Sequence, residues 1–258
     1  MLALASLSGA ADAEWARTGA SHADLALLGG IALDADSRAA ARELVARGRD
    51  EFLPGDPLTF IDRHLAALDD APIRAGMNVR STTLDPVREA AEICAAHDAV
   101  VEINAHCRQD ELCAVGCGET LLRDVDRLER YVAAASETGA TVSVKVRADV
   151  SGVDLPATAR RLAAAGADAI HVDAMDSEPV VAAVAAAAPD AFLLANNGVR
   201  DRRTAWEYLA YGADGVSVGR PSDDPAVLRR VAAAVDDWER RATAGTGAPA
   251  DSDAEVPR

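Results

Sequence analysis

Apolar and polar positions alternate along this chain with two different periods. A helical stretch closes near a glycine, a small polar step follows, and a short β-branched apolar run comes next. The segments TGATVSVKVR, AGADAIHVDA and YGADGVSVGR show this most clearly, with HADLALLGG and HDAVVEINA as looser copies. The glycine suits a left-handed helix C-cap, and a continuous apolar run suits a parallel strand covered on both faces. The pattern predicts eight strands, at 2–6, 24–30, 73–79, 99–104, 141–147, 168–173, 191–196 and 214–219. Helices are expected at 11–20, 35–47, 57–69, 85–98, 119–138, 154–165, 178–188, 201–211 and 223–240, the fourth capped by Asp85 with Pro86 in its first turn.

Strands alternating with helices imply βαβ units and a parallel sheet. Eight units predict an α/β fold, a single-domain (β/α)8 TIM barrel over residues 1–240. An open doubly wound sheet is the alternative, though such sheets more often have fewer strands. Residues 241–258 are small, polar and acidic, and are expected to form a disordered tail.

Composition changes this picture in two places. Half the residues are apolar but only 3% are aromatic, so the core must be built from Ala, Val and Leu. Net charge is −16, and the 26 basic residues include a single lysine, so 25 are arginine. An acidic, arginine-using surface fits a halophilic proteome. In molar salt the Debye length is only about 3 Å, so global charge says little about partners there. In dilute solution the same charge would repel nucleic acid. No apolar run approaches the roughly 20 residues of a membrane span, and the N-terminus does not resemble a signal peptide. A cytoplasmic protein is expected.

In a barrel, chemistry sits at the C-terminal ends of the strands. Those ends carry Asn78 and Arg80, Asn104 with His106 and Cys107, Lys145 and Arg147, His171 and Asp173, Asn196 and Asn197, then Gly219 and Arg220. Alternation along TVSVKVR puts Lys145 with Ser143 and Arg147 on the face opposite Val142, Val144 and Val146. The plain reading of a lysine is a snorkelling surface side chain. A chain that uses arginine everywhere else gives Lys145 a different weight, because a compact ammonium is not interchangeable with a planar guanidinium. Of the four cysteines, Cys107, Cys113 and Cys117 cluster, but their spacing matches no common zinc or iron–sulfur pattern, so no metal is assigned. Cys94 is expected in the core.

The segment INAHCRQDELCAVGCGETLLRD resembles the hallmark stretch of the tRNA dihydrouridine synthases. Asn104, Cys107, Gly116, Gly118, Leu121, Leu122 and Asp124 stand at the motif positions, and the similarity continues through VSVKVR, AIHVDAM, the Asn-Asn-Gly after the seventh strand and GADGVSVGR. The chain is similar to an archaeal-type, truncated relative of that family. The resemblance implies an FMN cofactor, NAD(P)H as electron donor, and reduction of a uracil double bond. It implies Cys107 as the proton donor, since a free thiol has a pKa of about 8.5 and carries a proton at neutral pH. Asn78, Lys145 and His171 would contact the flavin. Asn197, Gly198, Gly219 and Arg220 would hold its phosphate, and Asn104 and Arg147 would meet the substrate.

Three departures bear on the substrate. Arg108 follows Cys107 where the family usually has proline. Gln109-Asp110-Glu111 stand where basic residues are usual, and carboxylates at an entrance would repel phosphates. Dihydrouridine synthases typically continue into a helical domain that grips tRNA, and 241–258 cannot form one. The partner is therefore tRNA, with a partner subunit in place of that domain, or a small pyrimidine or dihydroorotate-like molecule. A non-catalytic barrel serving in an assembly is the other alternative.

Overall fold

The computed structural model describes residues 1–245. Eight parallel strands close into a barrel in chain order: β1 (Leu2–Leu4), β2 (Leu25–Ala32), β3 (Arg74–Arg80), β4 (Val100–Asn104), β5 (Thr141–Arg147), β6 (Ala169–Asp173), β7 (Phe192–Asn196) and β8 (Gly215–Val218). The expected strands therefore stand within a few residues of their observed ends, and the fold is the (β/α)8 barrel. Among the described residues, no helix is long and apolar enough to cross a membrane.

Why the chain closes this way is visible on β5. Val142, Val144 and Val146 are buried in the main core against the surrounding helices, while Ser143, Lys145 and Arg147 face the interior. Each fully buried valine contributes about 1.5–3 kcal/mol, so a one-residue slip of this strand would forfeit the set and turn the charges into the core.

The helices are started largely by aspartate. Asp12, Asp34, Asp56, Asp124, Asp154, Asp201 and Asp224 each accept a first-turn backbone N–H. Part of the acidic surplus is thus used to satisfy helix donors and complement helix dipoles. Asp34 goes further. Burial raises its pKa, but bonds from Thr82 and Ser37 outweigh that and hold the carboxyl at about 2.

Three sequence expectations change. Asp85 is not a cap: the helix Asp85–Ala96 starts from Leu84, with Asp85 and Pro86 already in its first turn. The expected helix over 119–138 is two, Glu119–Arg123 and Val125–Ser136, because Asp124 leaves helical geometry to accept from Arg127 N. A short helix, Asp110–Ala114, precedes them. The last helix runs from Pro225 to Thr243, past the expected boundary at 240. The rest of the expected tail, from 246 onward, lies outside the described residues.

Candidate active site

The barrel interior changes character from bottom to top. At the N-terminal ends of the strands Ala3, Leu25, Leu27, Val100 and Leu194 form a small apolar plug. Directly above it the strand registers stack polar residues. Asn78 pairs with Glu102, Glu102 with Ser143, Asn104 with Lys145, and Lys145 with His171.

Glu102 is the hub of that tier, and it is wholly buried. Its Oε1 accepts from Asn78 Nδ2 at 2.7 Å, and its Oε2 lies 2.7 Å from His171 Nδ1 and 3.3 Å from Ser143 Oγ. Burial disfavours its charge, but His171, Lys145 and Asn78 outweigh this and hold the carboxyl below its ordinary range. Burial also pushes the His171 imidazole down, further than Glu102 pulls it back. A neutral His171 then donates from Nδ1 to Glu102, and its Nε2 accepts from Ser217 Oγ at 2.8 Å. Ser217 Oγ in turn accepts from Asn196 Nδ2 at 2.6 Å. The chain Glu102–His171–Ser217–Asn196 thus runs from the barrel centre to the cavity wall.

Glu102 was not singled out from the sequence. Its signal is present in VVEIN: a charge in the middle of an apolar strand, two residues before Asn104 and so on the same face.

Above the tier a cavity of about 680 Å³ opens at the C-terminal ends of the strands, within the usual range for ligand sites. Of the residues expected to act, Cys107, Lys145, Arg147, Asn197, Gly198, Gly219 and Arg220 line it together. Asn78, Asn104 and His171 do not. They lie one layer below, with their polar groups bonded to other protein groups. Arg80 also turns away, into a buried pair with Glu51 at 2.7 Å and a bond to Ser8. Burial lowers its pKa, but neighbouring Cys107 and Glu51 more than restore it.

The motif residues explain how Cys107 is held. Asn104 Oδ1 accepts from the backbone N–H groups of His106 and Cys107 at 3.3 and 3.2 Å, while its Nδ2 donates to Asn78. From the other side Glu119 N donates to the Cys107 carbonyl at 2.8 Å. Gly118 sits at φ +57°, and a Cβ there would collide with that carbonyl, so only glycine lets the two backbones meet. His106 stands beside Cys107 on the cavity wall, its Nδ1 3.9 Å from Asp173 Oδ2. Burial, then the charges of Lys145, Arg80 and Arg147, push its pKa well down. The four cysteines are free; burial raises the thiols of Cys94 and Cys117 to about 12. Among the described residues no group of three or more His, Cys, Asp or Glu side chains is arranged to hold a metal.

Lys145 is 3% exposed, yet its ammonium makes no hydrogen bond or ion pair to the protein among the described residues. At the β7 and β8 ends, the backbone N–H groups of Gly198, Val199 and Gly219 have no acceptor there either. Asn197 and Gly198 take successive left-handed conformations, φ +101° and +67°, and a Cβ on Gly219 would project into open space. Such a run of free donors beside Arg220 suits an anionic group.

The residues that raised the prospect of repulsion at the entrance are placed otherwise. Neither Asp110 nor Glu111 lines the cavity, and Glu111 is paired with Arg47 at 2.8 Å. Arg108 and Gln109 face it instead.

Residues 79–246, about two thirds of the chain, match the sequence pattern of the dihydrouridine synthase (Dus) family. The chain belongs to that family. It is a family of flavin-type oxidoreductases, and the eight-stranded barrel with its polar cavity is the corresponding scaffold. An uncharacterized protein of Methanocaldococcus jannaschii is 25% identical over 228 residues, spanning 84% of this chain and 87% of the relative. Among solved structures, DHODH from Eimeria tenella in complex with ferulenol superposes with a TM-score of 0.68 at 14% identity, covering 94% of this chain and 82% of that one. Thiamine phosphate pyrophosphorylase from Pyrococcus furiosus gives 0.54 at 12% identity, covering 92% and 95%. These structural likenesses show the barrel alone, because one fold hosts many chemistries.

Proposed function

We propose that this Dus-family barrel binds FMN and reduces the double bond of a uracil-type ring, with Cys107 as proton donor. The observation that carries the reading is that Cys107 and the Lys145 ammonium, which makes no hydrogen bond or ion pair among the described residues, line one cavity with a run of free N–H donors.

The donor set fits the cofactor. Gly198, Val199 and Gly219 offer N–H groups, with Arg220 beside them, to a phosphate, and Lys145 offers a cation to an electron-rich ring edge. Bound FMN would supply hydride to one carbon of the substrate double bond, drawing its electrons from a donor such as NAD(P)H. Cys107 holds a proton at Sγ for the other carbon, so the ring gains one hydride and one proton. Lys145 stabilises negative charge in a water-poor site, where a fixed cation acts most strongly. Asn104 and Gly118 hold the Cys107 backbone, and Glu102, through His171 and Ser217, keeps the floor of the site rigid. This assigns His171, Asn78 and Asn104 to positioning, through the residues that line the cavity.

Purified protein is expected to carry or take up FMN and to show an absorbance band that bleaches under dithionite. Cys107→Ala should leave FMN binding unchanged and slow reoxidation of reduced flavin by the ring substrate. A protein that ignores added FMN would overturn the proposal. Dihydrouridine in host tRNA, measured with and without the gene, separates a tRNA substrate from a small one.

A further inference from the structure

The cavity has more positive charge than the proposed cofactor accounts for. In a chain of net charge −16, its wall carries Arg108, Lys145, Arg147, Arg200 and Arg220 against one carboxylate, Asp173. Arg200 and Arg220 lie at the β7 and β8 end with the free N–H donors, and Lys145 at the ring edge. Arg108 and Arg147 remain.

Arg147 is the informative one. Its side chain is 9% exposed, and its Nη1 lies 3.3 Å from Glu119 Oε1. That carboxylate is shared with Arg123 at 3.1 Å, so it neutralises Arg147 only in part. The Arg147 Nε is sealed from solvent with no acceptor, and the guanidinium forms no hydrogen bond to the protein among the described residues. A buried guanidinium normally has its donors satisfied, because an unpaired buried charge is costly. Here the position is held by an ion pair while the donors wait. Arg108 stands exposed on the same wall.

We infer that Arg147, with Arg108 at the mouth, forms an oxyanion subsite for the substrate, so that the molecule reduced is a small anionic pyrimidine. The shared chemistry is a carboxylate or phosphate substituent meeting a guanidinium fork. Arg108, Arg200 and Arg220 are exposed around the mouth, but the cation whose donors are unmet, Arg147, is recessed to 9% exposure, where a group small enough to enter the cavity reaches it. The inference rests on the proposed flavin chemistry for what happens to the ring, but not for the binding itself.

Two matched pairs of probes test it: orotate against uracil, and uridine monophosphate against uridine. Binding is measured by calorimetry at fixed ionic strength, with FMN added and again without it. The anionic member of at least one pair should bind roughly tenfold or more tightly, the scale of a charge-assisted hydrogen bond. Which pair shows the preference tells carboxylate from phosphate. Arg147→Met should abolish the preference of the anionic over the neutral member of the pair, and Arg108→Gln, on the exposed rim, should reduce it even if Arg147→Met fails to fold. Equal binding within both pairs, or a preference that survives both substitutions, overturns the subsite. So does tight, salt-dependent binding of tRNA that Arg147→Met does not weaken. If FMN does not bind but the preference stands, the flavin reading fails and the subsite does not; FMN binding without the preference is the reverse.

Discussion

The two halves of the barrel interior are built from opposite materials. The lower half is a plug of Ala3, Leu25, Leu27, Val100 and Leu194, stabilised by removal of apolar surface from water. The upper half holds Asn78, Glu102, Ser143, His171 and Ser217, all 3% exposed or less, stabilised only because every member has a partner. Apolar packing tolerates exchange of one methylene group for another, whereas a buried polar network is costly as soon as one partner is lost. The plug therefore closes the barrel without constraining the site, while the network ties barrel stability to the exact residues under the cavity.

The largest break in that comparison is Glu102→Ala. It leaves His171, Asn78 and Ser143 without their acceptor, and each buried donor left unsatisfied costs about 1–3 kcal/mol. Leu27→Ala in the plug falls in the range of about 2–5 kcal/mol through its cavity. Stability alone does not separate the two. Denaturant midpoints should fall for both, but only Glu102→Ala should also weaken FMN binding, because only it unseats the floor of the site. Equal FMN affinity in the two variants would show that the network does not position the cavity wall.

Lys145→Met asks the converse question, whether a residue above the network can be lost without loss of the fold. The ammonium makes no hydrogen bond or ion pair to the protein among the described residues, but its charge supports buried Glu102, so the denaturant midpoint should fall, by less than in Glu102→Ala. Flavin reduction, followed by stopped-flow absorbance, should slow roughly 100-fold or more, the usual effect of removing one preorganised electrostatic group.

Ser217→Ala sharpens the comparison at a single hydroxyl. It removes the partner of His171 Nε2 and of Asn196 Nδ2 together, at about 1–3 kcal/mol for a buried group left unsatisfied. A urea midpoint shift near the upper end would show both partners stranded. A shift below it would show that Asn196 falls back on its bond to the Ser217 carbonyl at 3.0 Å.

How much of this was legible in the sequence divides along the same line. The strands and their inward faces could be read because period-2 alternation is local, and Lys145 with Ser143 and Arg147 was placed correctly from β5 alone. The motif located Cys107 and the Asn197–Gly198 and Gly219–Arg220 turns around one cavity. What could not be read is depth. Whether Asn78, Asn104 and His171 line the cavity or lie beneath it depends on the stagger between neighbouring strands, a non-local property. Glu102 was missed for the same reason, since its meaning comes from His171, on β6, and Asn78, on β3. The Gln109-Asp110-Glu111 stretch suggested an acidic entrance, but a five-residue helix turns Asp110 and Glu111 off the wall and leaves Arg108 on it.

The effect most diagnostic of the network is the pH dependence of stability. His171 and His106 have folded-state pKa values lowered from 6.5, chiefly by burial, so the native state holds them neutral while the unfolded chain protonates them. Their contribution is complete above about pH 6.5 and is lost as pH falls towards the folded values. Each adds up to about 1.4 kcal/mol per pH unit in that window. His64, lowered by burial and by Arg63, acts in the same direction, while His97, raised by Asp62 and Asp69, acts in the opposite one and offsets part of the slope. Glu102, held below 4.5, keeps its contribution until pH falls through its own depressed value, so its loss follows that of the histidines. Urea midpoints measured from pH 7.5 to pH 5 should therefore decline before Glu102 titrates, and His106→Gln should remove part of the slope. A flat profile across that range would mean that the upper half of the barrel tolerates charged histidines, and that the contrast with the plug is weaker than its hydrogen bonds imply.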